Sequence, residues 1–197
     1  DYRRKNPTDD LISQLILVEN EGEKLSTEEL VSTCILLLNA GHEATVHAIG
    51  NGVKSILESN WNPKELFEQK TINATVEEIL RFDPPLHKFE RYAYEDMHMF
   101  GYDFKRGEQV ALLLAAANRD PTVFANPATF DPYQKSKQNL TLGAGIHFCV
   151  GAPLARMELS IALPILFSRC PNIEISQTPQ YSDRYHFHGL TELIIRH

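Results

Sequence analysis

The sequence predicts a mainly α-helical protein with small β-sheets, and three stretches of the chain lead to this prediction. The first is a long apolar run over about 26–59 that opens with a serine and a glutamate spaced as in a capping box. The second is a shorter helical pattern over about 73–82, which a Pro-Pro pair ends. The third is a helical run over about 152–170 that follows a glycine-rich segment directly. Only short segments with alternating apolar residues indicate strands.

The elements can be assigned in chain order. A helix is predicted over 11–18, and Ser26 and Glu29 form the capping box of the long helix. The middle of that helix is apolar on nearly all sides, so we expect it to be buried. A short helix is predicted over 64–69, and Asn73 is expected to cap the next one. Strands are predicted over 89–96, 98–104, 109–114, 173–176 and 190–196.

Composition and charge exclude several classes of protein. The 197 residues, 43% hydrophobic and 23% charged, suit one soluble globular domain with a core. The net charge of −7 argues against nucleic-acid binding, and no apolar run has the length of a membrane span. Cys34, Cys149 and Cys170 form neither a disulfide framework nor a zinc spacing, which favours a reducing, cytoplasmic location. His186 and His188 have no accompanying carboxylate or cysteine pattern, and we interpret them as non-ligands.

The segment 142–151 holds three glycines, one histidine and one cysteine in ten residues. Cys149 therefore lies just before a helix N-terminus, where free amide groups and the helix dipole favour the negative thiolate form. Glycines let the backbone approach a flat or bulky ligand closely. The alternative is a small buried cysteine in a glycine loop, which is common for a lone cysteine. The pattern indicates a thiolate available to a metal or an electrophile.

The long helix breaks local rules near its middle. Gly41 inside a helix costs about 1 kcal/mol, and we expect a buried Glu43 beside it to add to that cost. Such a conflict is typical of a functional site, although Glu43 could instead bind a buried water or pair with a neighbour. His42 and His47 nearly complete a zinc motif, but five residues place their rings about 140° apart around the helix, which excludes it.

The segment 142–151 resembles the haem-binding loop of the cytochrome P450 monooxygenases of the soluble bacterial or archaeal type, F-G-x-G-x-H-x-C-x-G. It departs from this pattern at Leu142, where the family usually has Phe. The resemblance implies that Cys149 is the axial ligand of the iron in haem b (iron protoporphyrin IX) and that His147 reaches a haem propionate. The positions that match the family pattern are Gly143, Gly145, His147, Cys149 and Gly151.

The middle of the long helix resembles the oxygen-binding groove of the same family, A-G-x-[DE]-T. The resemblance implies that Ala40 and Gly41 leave room for dioxygen over the haem and that Glu43 relays protons. Ala44 stands where the family usually has Thr, and Thr45 follows about 100° further around the helix. Proton delivery can then rely on Glu43, water, Thr45 or a substrate hydroxyl.

Two further segments match the family in the expected order. Glu78 and Arg81 lie on one helix face and match the family's E-x-x-R motif, which implies a buried structural pair under the haem-binding loop rather than an ordinary surface salt bridge. Arg91 matches the arginine of R-x-A-x-E-D, which implies a contact with a haem propionate. Gln134 stands where an arginine commonly completes the E-x-x-R triad; an amide brings no charge, and Lys135 is an alternative partner.

The resemblance covers nearly all 197 residues and implies the C-terminal portion of the cytochrome P450 fold. It implies an enzyme that inserts one oxygen atom from dioxygen into a small organic substrate, with electrons from a ferredoxin or flavoprotein. Arg156 either faces that donor or is a plain surface arginine. A large N-terminal half precedes this point in the family, so we expect a fragment whose partner is the missing half. The alternatives are a truncated, non-catalytic fragment that self-associates without functional haem, and a peroxide-using enzyme, which Ala44 permits.

Overall fold

The computed structural model describes residues 2–17, 25–134, 139–184 and 186–197. The chain divides into two compact units, Asp1–Glu43 and Ala44–His197. None of the helices in the described ranges is both long and apolar enough to cross a membrane.

The helices are α1 (Tyr2–Lys5), α2 (Leu11–Leu17), α3 (Thr27–Glu58), α4 (Pro63–Leu66), α5 (Ile72–Phe82), α6 (Leu114–Ala117) and α7 (Ala152–Arg169). The strands are β1 (Lys88–Tyr92), β2 (Met97–Met99), β3 (Tyr102–Phe104), β4 (Gln109–Leu113), β5 (Glu174–Ile175), β6 (Gln180–Tyr181), β7 (Leu190–Glu192) and β8 (Ile195–Arg196).

The first unit contains α1, α2 and the N-terminal part of α3. The predicted capping box is confirmed, because the amide of Glu29 donates to Ser26 Oγ over 3.1 Å and the amide of Ser26 donates to Glu29 Oε2 over 2.7 Å. The helix predicted over 11–18 is observed as α2, and Val18 lies outside the described residues. The long helix predicted over about 26–59 is observed as α3.

The prediction that the middle of the long helix is buried is wrong for the described residues. Val31, Ile35, Leu36 and Leu38 are all exposed, and Glu43 is half-buried rather than buried. A helix that is apolar on all sides needs packing partners on all sides. The described part of the first unit contains only two other helices, of four and seven residues, which are too short to cover α3.

The core of the second unit lies where the C-terminal part of α3 packs with α5 and α7. Gly52 allows the close approach of α3 to α5, because a Cβ at this position would lie 3.0 Å from Ile79 Cγ2. Trp61, the one tryptophan of the sequence, packs against this core and donates from Nε1 to the carbonyl of Phe130 over 3.0 Å. Each apolar side chain buried here contributes about 1.5–3 kcal/mol. The buried members include Ala48, Val53, Ile56, Val76, Ile79, Leu80, Leu159, Leu163 and Phe167.

The helix boundaries differ from prediction at α4 and α5. The predicted helix 64–69 is observed as α4, where Asn62 Oδ1 accepts from the Lys64 amide over 3.0 Å as an N-cap. Asn73, the predicted cap of the next helix, lies inside α5. Thr71 holds the N-cap position instead, and its hydroxyl donates to the carbonyls of Glu65 and Glu68.

The strands in the described residues form four two-stranded antiparallel sheets, which pair as β1–β4, β2–β3, β5–β8 and β6–β7. The strand predicted over 98–104 is instead the hairpin of β2 and β3. Phe100 at φ +53° and Gly101 at φ +78° reverse the chain there, as a two-residue hairpin turn requires. The strand predicted over 190–196 is likewise divided into β7 and β8.

Candidate functional site

The Cys149 loop, defined here as residues 142–151, turns tightly before α7. Gly143 and Gly145 have φ angles of +73° and +63°, and a Cβ at Gly143 would lie 3.1 Å from the carbonyl oxygen of His147. A short 3-10 turn, Gly145–His147, follows, and the amide of Cys149 donates to the carbonyl of Leu142 over 2.8 Å. Gly151 occupies the N-cap of α7. The structure therefore places Cys149 just before a helix N-terminus, as predicted.

The surroundings of Cys149 fit a flat, apolar, metal-containing ligand. Ile146 is 97% exposed, and Phe148 and Val150 are also exposed, so apolar side chains on both sides of the cysteine face outward. The described ranges contain no group of three or more His, Cys, Asp or Glu side chains that could hold a metal ion. A single soft thiolate beside apolar surface suits a metal whose other ligands belong to a macrocycle. The residues present therefore fit haem.

Glu78 and Arg81 form a buried pair on α5, with side chains 3% and 1% exposed. Arg81 donates from Nε and Nη2 to the two carboxylate oxygens of Glu78, each over 2.7 Å. Its remaining N–H groups donate to the carbonyls of Asn118, Pro127 and Thr129 over 2.9–3.0 Å. All five N–H donors of Arg81 therefore have acceptors, and the pair joins α5 to two loops.

Gln134 contacts the same carboxylate. Its Nε2 lies 3.0 Å from both Oε1 and Oε2 of Glu78, and the amide of Asp131 donates to Oε1 over 2.8 Å. A neutral amide thus contributes a hydrogen bond where the family commonly has a charged arginine. Lys135, the alternative partner, lies outside the described residues.

Arg156 is not a plain surface arginine. It lies on α7 and pairs with Glu77 of α5, which lies next to Glu78 in the sequence. The pKa of the Arg156 guanidinium is raised, chiefly by its hydrogen bond to the Glu77 carboxylate. Whether Arg156 also faces an electron donor stays a prediction.

The other predicted cofactor contacts lie on separate elements. Arg91 is half-buried on β1, pairs in register with Val110 of β4, and donates from Nη1 to the carbonyl of Glu90 over 2.8 Å. His147 is exposed within the Cys149 loop. Contacts of Arg91 and His147 with haem propionates stay predictions.

The predicted oxygen-binding residues all lie on α3. Ala40 and Gly41 are exposed, and a Cβ at Gly41 would meet no described atom within 4 Å. Glu43 and Thr45 are half-buried; Glu43 belongs to the first unit, and Thr45 to the second. The roles of these four residues stay predictions.

Sequence reasoning missed a polar cluster around Asp83. The His188 ring is stacked between the rings of His87 and Tyr181, with centroids 3.9 and 4.0 Å away, and its Nε2 lies 3.0 Å from Asp83 Oδ1. The hydroxyl of Tyr181 also donates to Asp83, and burial together with this hydrogen bond raises the pKa of Tyr181. His188 therefore has a carboxylate partner that the sequence pattern did not indicate, and its interpretation as a non-ligand stays a prediction. Since Asp83 and His188 are far apart in sequence, no local pattern joins them.

We expect the stability of the protein to depend on pH because of His87, whose ring is stacked on that of His188. Burial, followed by the neighbouring His188, lowers the pKa of His87 below its ordinary 6.5. The unfolded chain then binds more protons than the folded one just below pH 6.5, so the free energy of unfolding should fall as pH falls through that value. Urea unfolding across this pH range should show that the free energy of unfolding falls less in His87→Gln than in the unchanged protein. The exposed His98→Gln is the control, and identical pH profiles for His87→Gln and the unchanged protein would contradict the prediction.

A glycine-rich cysteine loop ahead of a helix, with a buried Glu–Arg pair on a neighbouring helix, is the arrangement that the resemblance to the thiolate-ligated haem proteins predicts. The family model described as Cytochrome P450 matches residues 63–190. The chain belongs to the cytochrome P450 family. The mainly α fold with small sheets is accordingly part of the cytochrome P450 fold, as predicted.

Individual relatives agree with this assignment. The polyketide biosynthesis cytochrome P450 PksS of Bacillus subtilis is 40% identical over 97% of this chain and 48% of its own length. The biotin biosynthesis cytochrome P450 of the same organism is 41% identical over 97% of this chain and 49% of its own length. The crystal structure of CYP109E1 from Bacillus megaterium in complex with testosterone has a TM-score of 0.90 at 36% identity, with 99% of this chain and 55% of that chain covered. The chain thus spans about half the length of the relatives it matches.

Proposed function

We propose that this chain is the C-terminal part of a haem-thiolate monooxygenase, with residues 1–197 belonging to one catalytic domain. Dioxygen would give one atom to a small organic substrate and the other to water, with two electrons from a donor and two protons. The observation that carries the proposal is Cys149, held by a hydrogen bond to Leu142 in a glycine turn ahead of α7 and flanked by exposed apolar side chains. Membership of the cytochrome P450 family supports it.

Cys149 would be the ligand of iron in haem b, and the guanidinium of Arg91 and the ring of His147 would bind propionates. When bound, the haem supplies an oxygen-activating iron, and a thiolate ligand favours cleavage of the O–O bond. Gly143, Gly145 and Gly151 would keep the backbone close to the ring without side chains in the way. Glu78 and Arg81 would hold the structure under this loop and take no part in the chemistry.

The residues on α3 would serve the oxygen side of the reaction. Ala40 and Gly41 would leave room for dioxygen because they present little or no side chain. The Glu43 carboxyl and the Thr45 hydroxyl would pass protons toward it. Since Ala44 brings no hydroxyl, Glu43 carries more of this role than it would beside a threonine.

The proposed partners are an electron donor of the ferredoxin or flavoprotein class and the rest of the polypeptide. The exposed apolar side chains of α3, among them Ile35, Leu36 and Leu38, support a covering by the N-terminal half of the fold. The three cysteines of the chain are free, which supports a cytoplasmic location. The proposed protein acts without nucleic acid or a membrane.

Replacing Cys149 with serine tests the proposal in the complete, haem-loaded protein. The reduced, CO-bound spectrum should lose its thiolate-specific Soret band, and turnover with donor and dioxygen should fall to background. Cys170→Ser, a second half-buried cysteine on the same chain, is the matched control and should keep both. Persistence of the band in Cys149→Ser would contradict the assignment of Cys149 as the ligand of the haem iron.

The same exposed surface of α3 favours a second candidate function, a non-catalytic chain that self-associates without functional haem. Molar mass and haem content of the unchanged chain separate the two. Stoichiometric haem in a monomer supports the enzyme, and haem-free oligomers support self-association.

A further inference from the structure

Glu77 of α5 binds both segments that flank the Cys149 loop. On the entry side, Asn139 Nδ2 donates to Glu77 Oε2 over 3.0 Å. On the exit side, Arg156 of α7 donates from Nε to Oε1 and from Nη2 to Oε2, the latter over 3.2 Å. One carboxylate therefore connects the chain before the loop to the helix after it.

Side-chain hydrogen bonds hold the entry side between Asn139 and the loop. Asn139 Oδ1 accepts from the amide of Thr141 over 3.1 Å, and the buried Thr141 donates from Oγ1 to the carbonyl of Leu80 over 2.6 Å. Asn118, also buried, donates to Thr141 Oγ1 over 2.7 Å and accepts from the amide of Leu140 over 2.7 Å. Asn139 is thus bonded to Thr141, the residue before Leu142, whose carbonyl accepts from the Cys149 amide.

On the exit side, Glu77 is bonded directly to the helix that follows the loop. Arg156 lies in the second turn of α7, which begins at Ala152 immediately after the loop. The pKa of the Arg156 guanidinium is raised chiefly by its hydrogen bond to the Glu77 carboxylate. Glu78 cannot make these contacts, because its carboxylate is occupied by Arg81, Asp131 and Gln134.

We propose that Glu77 is a positioning residue that ties together the two ends of the Cys149 loop and so fixes the sulfur relative to α7. The effect of Glu77 on the haem ligand rests on the proposed function. Its effect on the conformation of the Cys149 loop does not depend on haem. The side chains of Glu77 and Arg156 are 34% and 35% exposed, so their pair adds little to global stability. Its effect is expected to be local to the loop.

Hydrogen exchange of the Cys149 amide in the complete protein tests this proposal. Glu77→Gln removes the ion pair, and we expect exchange in peptides covering 142–149 to become about fivefold faster, because a partly exposed pair is worth up to about 1 kcal/mol. Arg156→Gln should act similarly, and the double variant should be no faster than Glu77→Gln alone. Glu174→Gln is the matched control, because Glu174 accepts from Nε and Nη2 of Arg196 far along the chain.

A second readout follows the haem ligand. In Glu77→Gln, a larger share of the reduced, CO-bound protein should lack the thiolate-specific Soret band, while Glu77→Asp, which keeps the charge, should restore part of it. Equal exchange of the Cys149 amide in Glu77→Gln and Glu174→Gln would overturn the positioning role. Failure of the unchanged protein to show the thiolate band would overturn the proposed function instead, and the exchange experiment would still decide the role of Glu77.

Discussion

Replacing Arg81 with methionine is expected to lower the free energy of unfolding by about 3–5 kcal/mol. The change leaves the Glu78 carboxylate buried without a countercharge. It also leaves the carbonyls of Asn118, Pro127 and Thr129 without the donors they now have. Gln134 and the Asp131 amide still contact Glu78, but neither brings a positive charge. The loss should therefore exceed that of any surface ion pair in the described residues.

Urea unfolding of the complete protein measures this change. Arg196→Met, which breaks an exposed pair with Glu174, is the control and should change stability by less than about 1 kcal/mol. The double variant Glu78→Gln/Arg81→Met removes both charges and should be less destabilised than the sum of the two single variants. A loss no larger for Arg81→Met than for Arg196→Met would show that the pair is structurally dispensable.

Replacing Gly189 with alanine is expected to lower the free energy of unfolding by about 1–3 kcal/mol. The new Cβ would lie 1.8 Å from Nδ1 and 2.3 Å from Cγ of His47, so the whole imidazole must move. The backbone cannot easily move instead. The Gly189 carbonyl accepts from the amide of Ser182 over 2.9 Å, and the preceding His188 amide donates to the carbonyl of Pro85 over 2.8 Å.

Thermal unfolding of Gly189→Ala measures this clash, and the double variant His47→Ala/Gly189→Ala should recover part of the loss. Gly50→Ala is the matched control, since a Cβ there meets no described atom within 4 Å and alanine favours a helix. It should leave stability unchanged or raise it by about 0.4–1 kcal/mol. A Gly189→Ala protein as stable as Gly50→Ala would mean that His47 moves at no cost.

Local patterns in the sequence predict the local structure well. Ser26 and Glu29 form their capping box because both partners lie within one helical turn. The same holds for Glu78 and Arg81, which three residues bring to one face of α5. The spacing predicts that the two residues pair, whereas the prediction that the pair is buried rests on the family resemblance.

Features that depend on distant parts of the chain could not be read from the sequence. The contact of Asp83 with His188 joins positions about a hundred residues apart, and the bridge from Glu77 to Asn139 and Arg156 joins three separate segments. The exposure of Ile35 and Leu38 on α3 depends on which polypeptide surrounds the helix, and hydrophobicity alone does not specify that.

The single indole of Trp61 has a practical consequence. Its Nε1 is bound to the carbonyl of Phe130, and the next residue, Asp131, donates its amide to Glu78. Tryptophan fluorescence of this chain therefore comes from one place, beside the segment attached to the buried carboxylate. A red shift of emission reports the release of that segment into water, without any label and separately from tyrosine.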